Sequence, residues 1–503
     1  MAIPYRALFF RDHTHHNKIF TFNDPISPSI RSIRFSCGGL TRRETPSNGR
    51  LFIQNVSSKN ESLCIVPGLQ SERTKENGHW STIEEPSNNL ASTWEEIHGK
   101  SDWVGLLDPI DPLLWAELIR YGEMAQASYD AFDADLFSKY CGSCRYKPSE
   151  FFRSLEFPRA GYEVTRYLYA SCNIHNHPHF FKKSLWRDRW SESANWFGYV
   201  AVSDDEMSKA LGRRDIAIVW RGTMRKPEWI VDAMYSMSPV RQKGIPCPDR
   251  KAKVESGFLH LYTEKDENSR FCKHSAREHV LQEIEQLVRK HADEDLSITI
   301  TGHSLGSALA ILSAYDIAET GTDIRQDGKI VPKCVFSFAG PRVGNARFKQ
   351  RIEELGVKVL RVLNVHDKVP TVPGMIFNEY APSILQKWGC YSHVGIELAL
   401  NHENSPYLKD EGDLLCYHDM EVLLHLLDGY KGKGQKFELA SKRDIALVNK
   451  ATDFLKDELL VPPKWMQLEN KGLVRGQDGR WTQPERQDLG DHFEGVNLEA
   501  SLV

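Results

Sequence analysis

The stretch LSITITGHSLGSALAILSAYDIA, residues 296–318, decides the fold of this chain. It begins as a short apolar strand around Ile298 and Ile300, turns abruptly at GHSLG, and continues as an apolar helix. The turn matches the pattern G-x-S-x-G, in which a serine at the tip of a strained strand-to-helix turn projects its hydroxyl clear of the sheet. The sequence therefore predicts a nucleophile elbow with Ser304 at its tip.

The residues around Ser304 suit such a turn. Gly302 and Gly306 stand two positions to either side, where a side chain would collide with the backbone of the strand and the helix. The first turn of the helix has free N–H groups, so the Leu305 N–H can donate to a developing oxyanion. A second donor should come from a loop after an earlier strand, and the stretch WRGT supplies the backbone N–H and the hydroxyl of Thr223.

A nucleophilic serine needs a histidine base and a carboxylate that orients the histidine. On this architecture the chain order is serine, acid, histidine, with the acid just past a sheet strand. Asp367 directly follows the predicted strand that ends at Val365. Asp323 and Asp327 lie in a polar connection before a strand, and Asp316 lies inside the elbow helix. We therefore expect Asp367 to be the acid.

Four histidines follow Asp367 in the chain: His393, His402, His418 and His425. His418 lies at a predicted loop-to-helix junction, from which its side chain can reach over the sheet edge. His425 is seven residues further on and fits a packed helical position, while His393 in YSHVG fits a strand. The pattern favours His418 as the base.

The segment PEWIVDAMYSM, residues 227–237, places Trp229, Ile230, Met234 and Met237 on one helical stripe. Such a stripe is typical of a helix that faces a core. The alternative is a lid that covers an apolar acyl groove and opens at a lipid surface.

Composition and charge restrict the class of protein. The chain of 503 residues is 41% hydrophobic and carries a net charge of −4, which argues against nucleic-acid binding. No apolar run approaches the length of a membrane span. The ten cysteines are scattered, which favours a reducing compartment. Cys141 and Cys144 form a single C-x-x-C pair, so we expect no metal site; a redox pair or two ordinary thiols are the alternatives.

The N-terminal part differs from the rest of the chain. Residues 1–60 contain nine Lys and Arg against three Asp and Glu, a charge of +6, so the remainder carries −4 − 6 = −10. An Arg-rich, Ser-rich and acid-poor segment is typical of an organelle transit peptide. The sequence predicts a disordered extension in which residues 61–92 are a polar linker. The folded domain is expected over residues 93–460, and residues 461–503 should form a polar tail.

Within the predicted domain, strands alternate with helices. A helix begins at Asp111-Pro112, and a second one over residues 275–291 begins with a capping box at Ser275 and Glu278. Strands are expected around residues 164–170, 196–203, 216–220, 334–339 and 359–365, with a helix near 348–355. This alternation predicts an α/β protein with a mostly parallel sheet flanked by helices.

The stretches IVWRGT, ITGHSLG, FSFAGPRVGN and NVHDKVP, in this order, resemble the class 3 (fungal-type) lipases. From Trp94 onward the chain is similar to plant class I phospholipase A1 enzymes of the plastid gamma type, in stretches such as LIRYGEMAQASYDAF, KYCGSC, NWFGYVAVSDDE and HDMEVLLHLLDGYKGKG. The resemblance implies an α/β-hydrolase fold in which Ser304, Asp367 and His418 are catalytic and Thr223 belongs to the oxyanion hole. Ser307 departs from the family, which usually has a second glycine there.

The resemblance implies release of the sn-1 fatty acid from glycerolipids, with phosphatidylcholine and plastid galactolipids as substrates. It implies no metal and no organic cofactor. The protein is expected to be chloroplastic, soluble or peripheral, and to contact a membrane or lipid-body surface. Three alternatives stay open: a lipase for di- and triacylglycerol with the same triad, a non-catalytic lipase-like interaction protein, and an acyl transferase on the same fold.

Overall fold

The computed structural model describes residues 90–155, 157, 160–171, 181–185, 187, 189–224, 236–374, 378–379 and 390–466, and the backbone of 474–475 and 481–482. The predicted transit peptide, most of the predicted linker and most of the C-terminal tail lie outside these residues. So do Trp229, Ile230 and Met234 of the candidate lid.

Ten helices and thirteen strands occur in the described residues. The helices are α1 (Leu90–Ile97), α2 (Pro112–Asp130), α3 (Phe151–Ser154), α4 (Asp205–Leu211), α5 (Ser256–Thr263), α6 (Ala276–Lys290), α7 (Leu305–Thr320), α8 (Ala346–Glu354), α9 (Leu414–His418) and α10 (Met420–Gly429). The strands are β1 (Tyr162–Ser171), β2 (Ala194–Ser203), β3 (Arg214–Trp220), β4 (Met237–Pro239), β5 (Lys253–Glu255), β6 (Leu296–His303), β7 (Lys333–Phe338), β8 (Gly344–Asn345), β9 (Lys358–Asn364), β10 (Tyr391–Ser392), β11 (Ile396–Leu400), β12 (Val474–Arg475) and β13 (Trp481–Thr482).

The central sheet has seven strands in the order β1-β2-β3-β6-β7-β9-β11. The five strands from β3 to β11 are parallel, as predicted, whereas β1, β2 and β3 pair antiparallel. The sequence did not indicate that reversal. Since the parallel strands all end at one edge of the sheet, the loops that follow them meet there, and we call this the carboxyl edge. A smaller antiparallel sheet has the order β10-β8-β5-β4.

Local sequence signals explain where the main helices begin. The Asp111 carboxylate accepts hydrogen bonds from Leu113 N and Leu114 N, so it caps α2, and Pro112 occupies the first turn. The predicted capping box at the start of α6 is present, with Ser275 and Glu278 satisfying each other's backbone N–H.

Both faces of the central sheet are covered. Along β6, Ile298 and Ile300 belong to one buried cluster, which also holds the apolar side chains of α5, α6 and α7. On the other face, Phe336 of β7 and Val219 of β3 belong to a second cluster that includes α2 and α10. The alternation along each strand therefore assigns its side chains to two separate cores, as an α/β architecture requires.

The folded part is longer than predicted at both ends. Helix α1 begins at Leu90, which is buried, so the predicted boundary between residues 92 and 93 falls inside a helix. Beyond residue 460, Trp465 Nε1–H donates to Ala446 O at 2.7 Å and Met466 N–H donates to Lys450 O at 3.1 Å. The sequences at the two ends are short and polar, so they have no periodic pattern from which these contacts could be predicted. None of the described helices is long and apolar enough to cross a membrane.

Candidate active site

The turn between β6 and α7 has the strained backbone that an elbow requires. Ser304 has φ 59° and ψ −125°, a region that side-chain-bearing residues rarely occupy. Its N–H donates to Phe338 O of the neighbouring strand β7 at 2.9 Å, and its carbonyl accepts from Ser307 N at 3.0 Å. Because the surrounding backbone holds the turn from both sides, the strain persists, and strain of this kind clusters at functional sites.

The two glycines of the motif are needed for close backbone approach. A Cβ on Gly302 would lie 2.5 Å from the carbonyl oxygen of Gly306, and a Cβ on Gly306 would lie 2.2 Å from Trp220 O. Both distances are far below van der Waals contact, and both obstacles are backbone atoms that cannot rotate away. Neither position can therefore hold a side chain without a shift of the backbone.

Ser304, His418 and Asp367 form one hydrogen-bonded chain. The Ser304 hydroxyl donates to His418 Nε2 at 2.8 Å, and His418 Nδ1–H donates to Asp367 Oδ2 at 2.6 Å. All three side chains are buried. Residues that lie up to 114 positions apart in the chain thus meet at the carboxyl edge. In this arrangement the imidazole can accept the serine proton while the carboxylate holds it in the required tautomer.

Asp367 reaches the site because it follows β9. Its N–H donates to Asn364 O at 3.0 Å in a tight turn, and its second carboxylate oxygen accepts from Val369 N at 2.9 Å. The other candidate acids lie elsewhere: Asp323 pairs with Lys333 at the start of β7, and Asp316 binds Arg277. Among these three acids, only Asp367 directly follows a strand of the central sheet and lies beside His418.

His418 is the last residue of the one-turn helix α9, which Asp413 caps, and the next residue, Asp419, caps the start of α10. The sequence predicted a loop there, because a five-residue helix carries almost no periodic signal. The other histidines have different partners: His393 Nε2 lies 2.9 Å from Pro370 O, and His425 Nε2 lies 2.8 Å from Ser405 Oγ. His393 follows β10 instead of lying in a strand, whereas the predicted helical position of His425 is confirmed.

The sequence reasoning missed two residues behind His418. His303 Nε2 lies 2.8 Å from the backbone carbonyl of His418, so this nitrogen carries the proton and donates. His303 Nδ1 then accepts from the Tyr129 hydroxyl at 2.7 Å. Burial, reinforced by the nearby His418, holds the pKa of His303 well below its ordinary value, so its ring stays neutral. The two histidine rings lie 4.7 Å apart between centroids.

The Tyr129–His303 pair therefore fixes the backbone of His418. Tyr129 is also close to the WRGT loop, since a Cβ on Gly222 would lie 2.1 Å from the Tyr129 hydroxyl. The sequence shows these two residues only as a histidine inside G-x-S-x-G and a tyrosine in the last turn of α2. Neither residue type at those positions indicates a partner 174 residues away.

The two predicted oxyanion donors lie in the elbow itself and in the WRGT loop. Leu305 is the first residue of α7, so its N–H has no acceptor within the helix. Thr223 lies in the loop after β3, and its neighbour Gly222 is so close that an added Cβ would lie 3.1 Å from Ser304 Cβ. Arg221 steadies this loop, donating to Gly222 O at 2.5 Å and to Trp196 O at 3.0 Å. Burial lowers the pKa of Arg221 to about 9.

Ser307, which departs from the family pattern, fits the elbow. Its hydroxyl oxygen lies 2.5 Å from Gly302 O and 2.9 Å from Phe338 O, the carbonyl that also accepts from Ser304 N. The hydroxyl therefore ties the first turn of α7 to two strands. Gly340 packs directly against this serine, because an added Cβ on Gly340 would lie 2.5 Å from Ser307 Cβ.

Met237 and the C-x-x-C pair are two further predicted features that the described residues include. Met237 is the first residue of strand β4, so the helical stripe proposed for the candidate lid does not extend to it. Cys141 and Cys144 are both buried, and burial raises the pKa of the Cys141 thiol to about 12, which disfavours a reactive thiolate. Among the described residues, no group of three or more His, Cys, Asp or Glu could hold a metal ion.

A strained serine elbow, a histidine and a strand-end acid at the carboxyl edge of this sheet define the class of protein as an α/β-hydrolase. The family described as Lipase (class 3) matches residues 217–377, a range that contains Ser304 and Asp367. The match to a lipase family is consistent with the α/β-hydrolase class that the fold and the site indicate.

Relatives over nearly the full length are more specific. The chain is 51% identical to "Phospholipase A1-Igamma2, chloroplastic" of Arabidopsis thaliana, covering 95% of this chain and 96% of that protein. It is 58% identical to "Phospholipase A1-Igamma1, chloroplastic" of the same plant, covering 80% of this chain and 79% of that protein. The chain belongs to the phospholipase A1 family of class 3 lipases.

Solved structures give a more distant likeness. Lip2 lipase from Yarrowia lipolytica is 19% identical and has a TM-score of 0.38, covering 58% of this chain and 80% of that protein. This likeness adds nothing to the architecture described above.

Proposed function

We propose that this protein is a serine acylhydrolase that releases the sn-1 fatty acid from glycerolipids, namely phosphatidylcholine and the plastid galactolipids. The observation that carries the proposal is the continuous hydrogen-bonded chain from Ser304 through His418 to Asp367. The names of the relatives, phospholipase A1, support the choice of bond and of substrate class.

In the proposed reaction, His418 Nε2 takes the Ser304 proton as Ser304 Oγ attacks the sn-1 carbonyl carbon. The carbonyl oxygen becomes an oxyanion, which the Leu305 N–H and Thr223 hold. His418 then protonates the departing lysolipid, and the acyl group stays on Ser304 as an ester. The same histidine next activates water, which releases the fatty acid and restores the serine.

Asp367 has a supporting role in this reaction. Its Oδ2 keeps the His418 proton on Nδ1, so that Nε2 is free to act as the base, and it stabilises the imidazolium that forms. Its other oxygen is held by Val369 N–H at 2.9 Å, which fixes the direction of the carboxylate. Each oxyanion donor contributes about 3 kcal/mol at the transition state.

The chloroplast is the proposed location, supported by the word chloroplastic in the names of the relatives and by the Arg-rich, acid-poor composition of residues 1–60. The enzyme would meet its glycerolipid substrate by peripheral contact with a membrane or lipid-body surface. Residues 227–234, including Trp229, Ile230 and Met234, are the proposed lid.

The test is hydrolysis by the purified protein lacking residues 1–60, with Ser304→Ala as the blank. Phosphatidylcholine, monogalactosyldiacylglycerol and triolein would each carry a distinguishable sn-1 chain. We expect sn-1 fatty acid from both polar lipids and a fall of several orders of magnitude in the blank. Cleavage of triolein alone would refute the substrate class and leave the triad standing. If the parent and Ser304→Ala are both folded and equally inactive on all three lipids, the proposal that the protein is an acylhydrolase would be refuted.

A further inference from the structure

Three exposed apolar side chains project from two loops that are joined to each other. Leu136 is 39% exposed, Phe137 is 66% exposed and Leu185 is 67% exposed. Leu185 N–H donates to Leu136 O at 2.8 Å, and Trp190 N–H donates to Lys139 O at 2.7 Å. The loop 131–145 and the described residues of 181–193 therefore form one surface. We call Leu136, Phe137 and Leu185, with the exposed Lys183 and Arg187, the rim patch.

The rim patch lies at the carboxyl edge, which also carries the candidate active site. Ser171 at the end of β1 pairs with Ala194 at the start of β2, so the connection that carries Leu185 leaves and returns at this edge. On the other loop, the ring of Phe132 lies 3.8 Å from the Arg221 guanidinium that steadies the WRGT loop. Leu136 follows Phe132 by only four residues.

The two loops are anchored to the sheet. Gly142 N–H donates to Asp133 O and Trp196 N–H of β2 donates to Gly142 O, each at 2.8 Å. Lys182 N–H donates to the Asn195 side chain at 2.8 Å. Behind them, the Trp190 ring stacks on Phe271 at 4.3 Å between centroids. The patch is thus a fixed platform, and the buried Cys141 and Cys144 are part of its support.

The charge around the rim patch is opposite in sign to that of the whole protein. Lys139, Lys183 and Arg187 are exposed. Of the acidic side chains on the same loops, Asp135 accepts from Phe137 N at 2.9 Å and Glu192 pairs with Arg189 at 2.8 Å. The chain as a whole carries a net charge of −4. Apolar side chains ringed by cations are the composition that attracts a protein to an anionic lipid surface, because the apolar groups enter the headgroup boundary and the cations meet the headgroups.

We propose that the rim patch is the surface by which this protein lies on a bilayer containing anionic glycerolipids, with the active-site edge turned toward the lipid. The proposal rests on the proposed function only in that the substrate is then presented at the same edge. The binding step itself needs no catalysis, so it can be measured on a protein whose Ser304 is replaced.

The experiment measures co-sedimentation of the protein lacking residues 1–60 with vesicles, in a Ser304→Ala background. Vesicles of phosphatidylcholine alone are compared with vesicles that also contain phosphatidylglycerol. The parent should prefer the anionic vesicles, and Phe137→Ser with Leu185→Ser should weaken binding to them about tenfold. Lys183→Gln with Arg187→Gln should remove the preference for anionic vesicles.

Another exposed apolar pair provides the matched control. Ile324 is 50% exposed and Ile330 is 63% exposed, and they pair across a turn ahead of β7, at the opposite edge of the sheet. Ile324→Ser with Ile330→Ser should change vesicle binding by no more than about twofold. Equal loss in this control, or unchanged binding of the rim-patch variant, would overturn the proposal.

A second assay separates this proposal from the proposed function. It measures hydrolysis of a soluble short-chain ester by the variant Phe137→Ser with Leu185→Ser, in which Ser304 is intact. We expect the rate on the soluble ester to equal that of the parent, while hydrolysis of anionic vesicles falls with binding. An equal fall on both substrates would mean that the substitutions damaged the active site, and it would refute the assignment of the patch to lipid contact.

Discussion

The two ends of strand β6 carry a serine each, and the two serines have opposite surroundings. At the amino end, the Ser297 hydroxyl donates to Asp215 Oδ1 at 2.6 Å. Just past the carboxyl end, the Ser304 hydroxyl donates to His418 Nε2 at 2.8 Å. Both residues are buried. The role of each serine therefore depends on its acceptor: at Ser297 a carboxylate that also binds three other hydroxyls, and at Ser304 an imidazole that can serve as a general base.

The two buried aspartates at these ends differ in the same way. Asp215 accepts from four hydroxyls: Tyr121 at 3.0 Å, Tyr162 at 2.9 Å, Ser297 at 2.6 Å and Thr299 at 2.6 Å. Asp367 instead accepts a hydrogen bond from His418, a residue that must change its charge during the proposed reaction. A saturated network of this kind stabilises the fold, whereas the site at the carboxyl edge keeps a strained backbone at Ser304.

The largest difference in activity is expected between variants of Ser304 and Ser297. Ser304→Ala should lower kcat by roughly four to six orders of magnitude, because the nucleophile is lost. Ser297→Ala should keep kcat within about threefold but lower the free energy of unfolding by about 1–3 kcal/mol, since Asp215 loses a donor. Initial rates on a soluble ester and urea unfolding measure the two quantities. Comparable loss of kcat in both variants would contradict the distinction between the two ends.

The aspartate pair should separate activity from stability. Asp367→Asn should lower kcat about 10⁴-fold, because the amide no longer holds the His418 proton on Nδ1. Asp215→Asn should cost about 3 kcal/mol of unfolding free energy or more, because an amide nitrogen would face buried donors. Rates are to be normalised to the folded fraction from circular dichroism. A stability loss in Asp367→Asn as large as that in Asp215→Asn would argue for a purely structural role of Asp367.

Two tyrosines of α2 test the positioning of His418. Tyr129→Phe removes the hydroxyl that donates to His303 Nδ1, so His303 no longer holds the His418 carbonyl in a single orientation. We expect kcat to fall about tenfold with KM for a soluble ester unchanged. Tyr121→Phe removes a hydroxyl on Asp215 and should lower only the unfolding free energy, by about 1 kcal/mol. A KM effect without a kcat effect in Tyr129→Phe would rule out positioning of the base.

The smallest effect concerns pH. Asp419, which follows His418, accepts from Glu421 N at 2.9 Å and from Val422 N at 3.2 Å. Burial, followed by repulsion from Glu421, raises its pKa to about 7. The unfolded pKa is about 4, so the folded state binds this proton more tightly and stability is lost as pH rises from about 4 to about 7.

Asp419→Asn should remove that loss, since the amide oxygen can still accept both backbone bonds. Its unfolding free energy relative to the parent should rise from pH 4 to 7 by a few kcal/mol at most and then level off. Asp444, an exposed cap that accepts from Ala446 N at 2.9 Å, provides the matched control as Asp444→Asn. A flat difference across pH in Asp419→Asn, measured by thermal unfolding, would show that burial does not govern this carboxyl.

Local patterns predicted the elements that have strong periodicity or a complete motif. The capping box of α6, the apolar strands β3, β6, β7 and β9 and the two elbow glycines all follow from residues within one short window. The short helix α9 and the start of α1 did not, because five to eight residues give little periodic signal. The antiparallel entry of β1 and β2 was also missed, since pairing direction depends on how the connection returns to the sheet.

The sequence by itself determined the elbow, because the collision that excludes side chains at Gly302 and Gly306 arises within a single turn and its immediate strand neighbours. It also predicted Asp367 as the acid, because that residue directly follows a strand. Only the tertiary structure decided that His303 and Tyr129 support His418, and that Leu136, Phe137 and Leu185 share one surface. Those relations join residues far apart in the chain, and a hydrogen bond over such a separation has no local pattern to announce it.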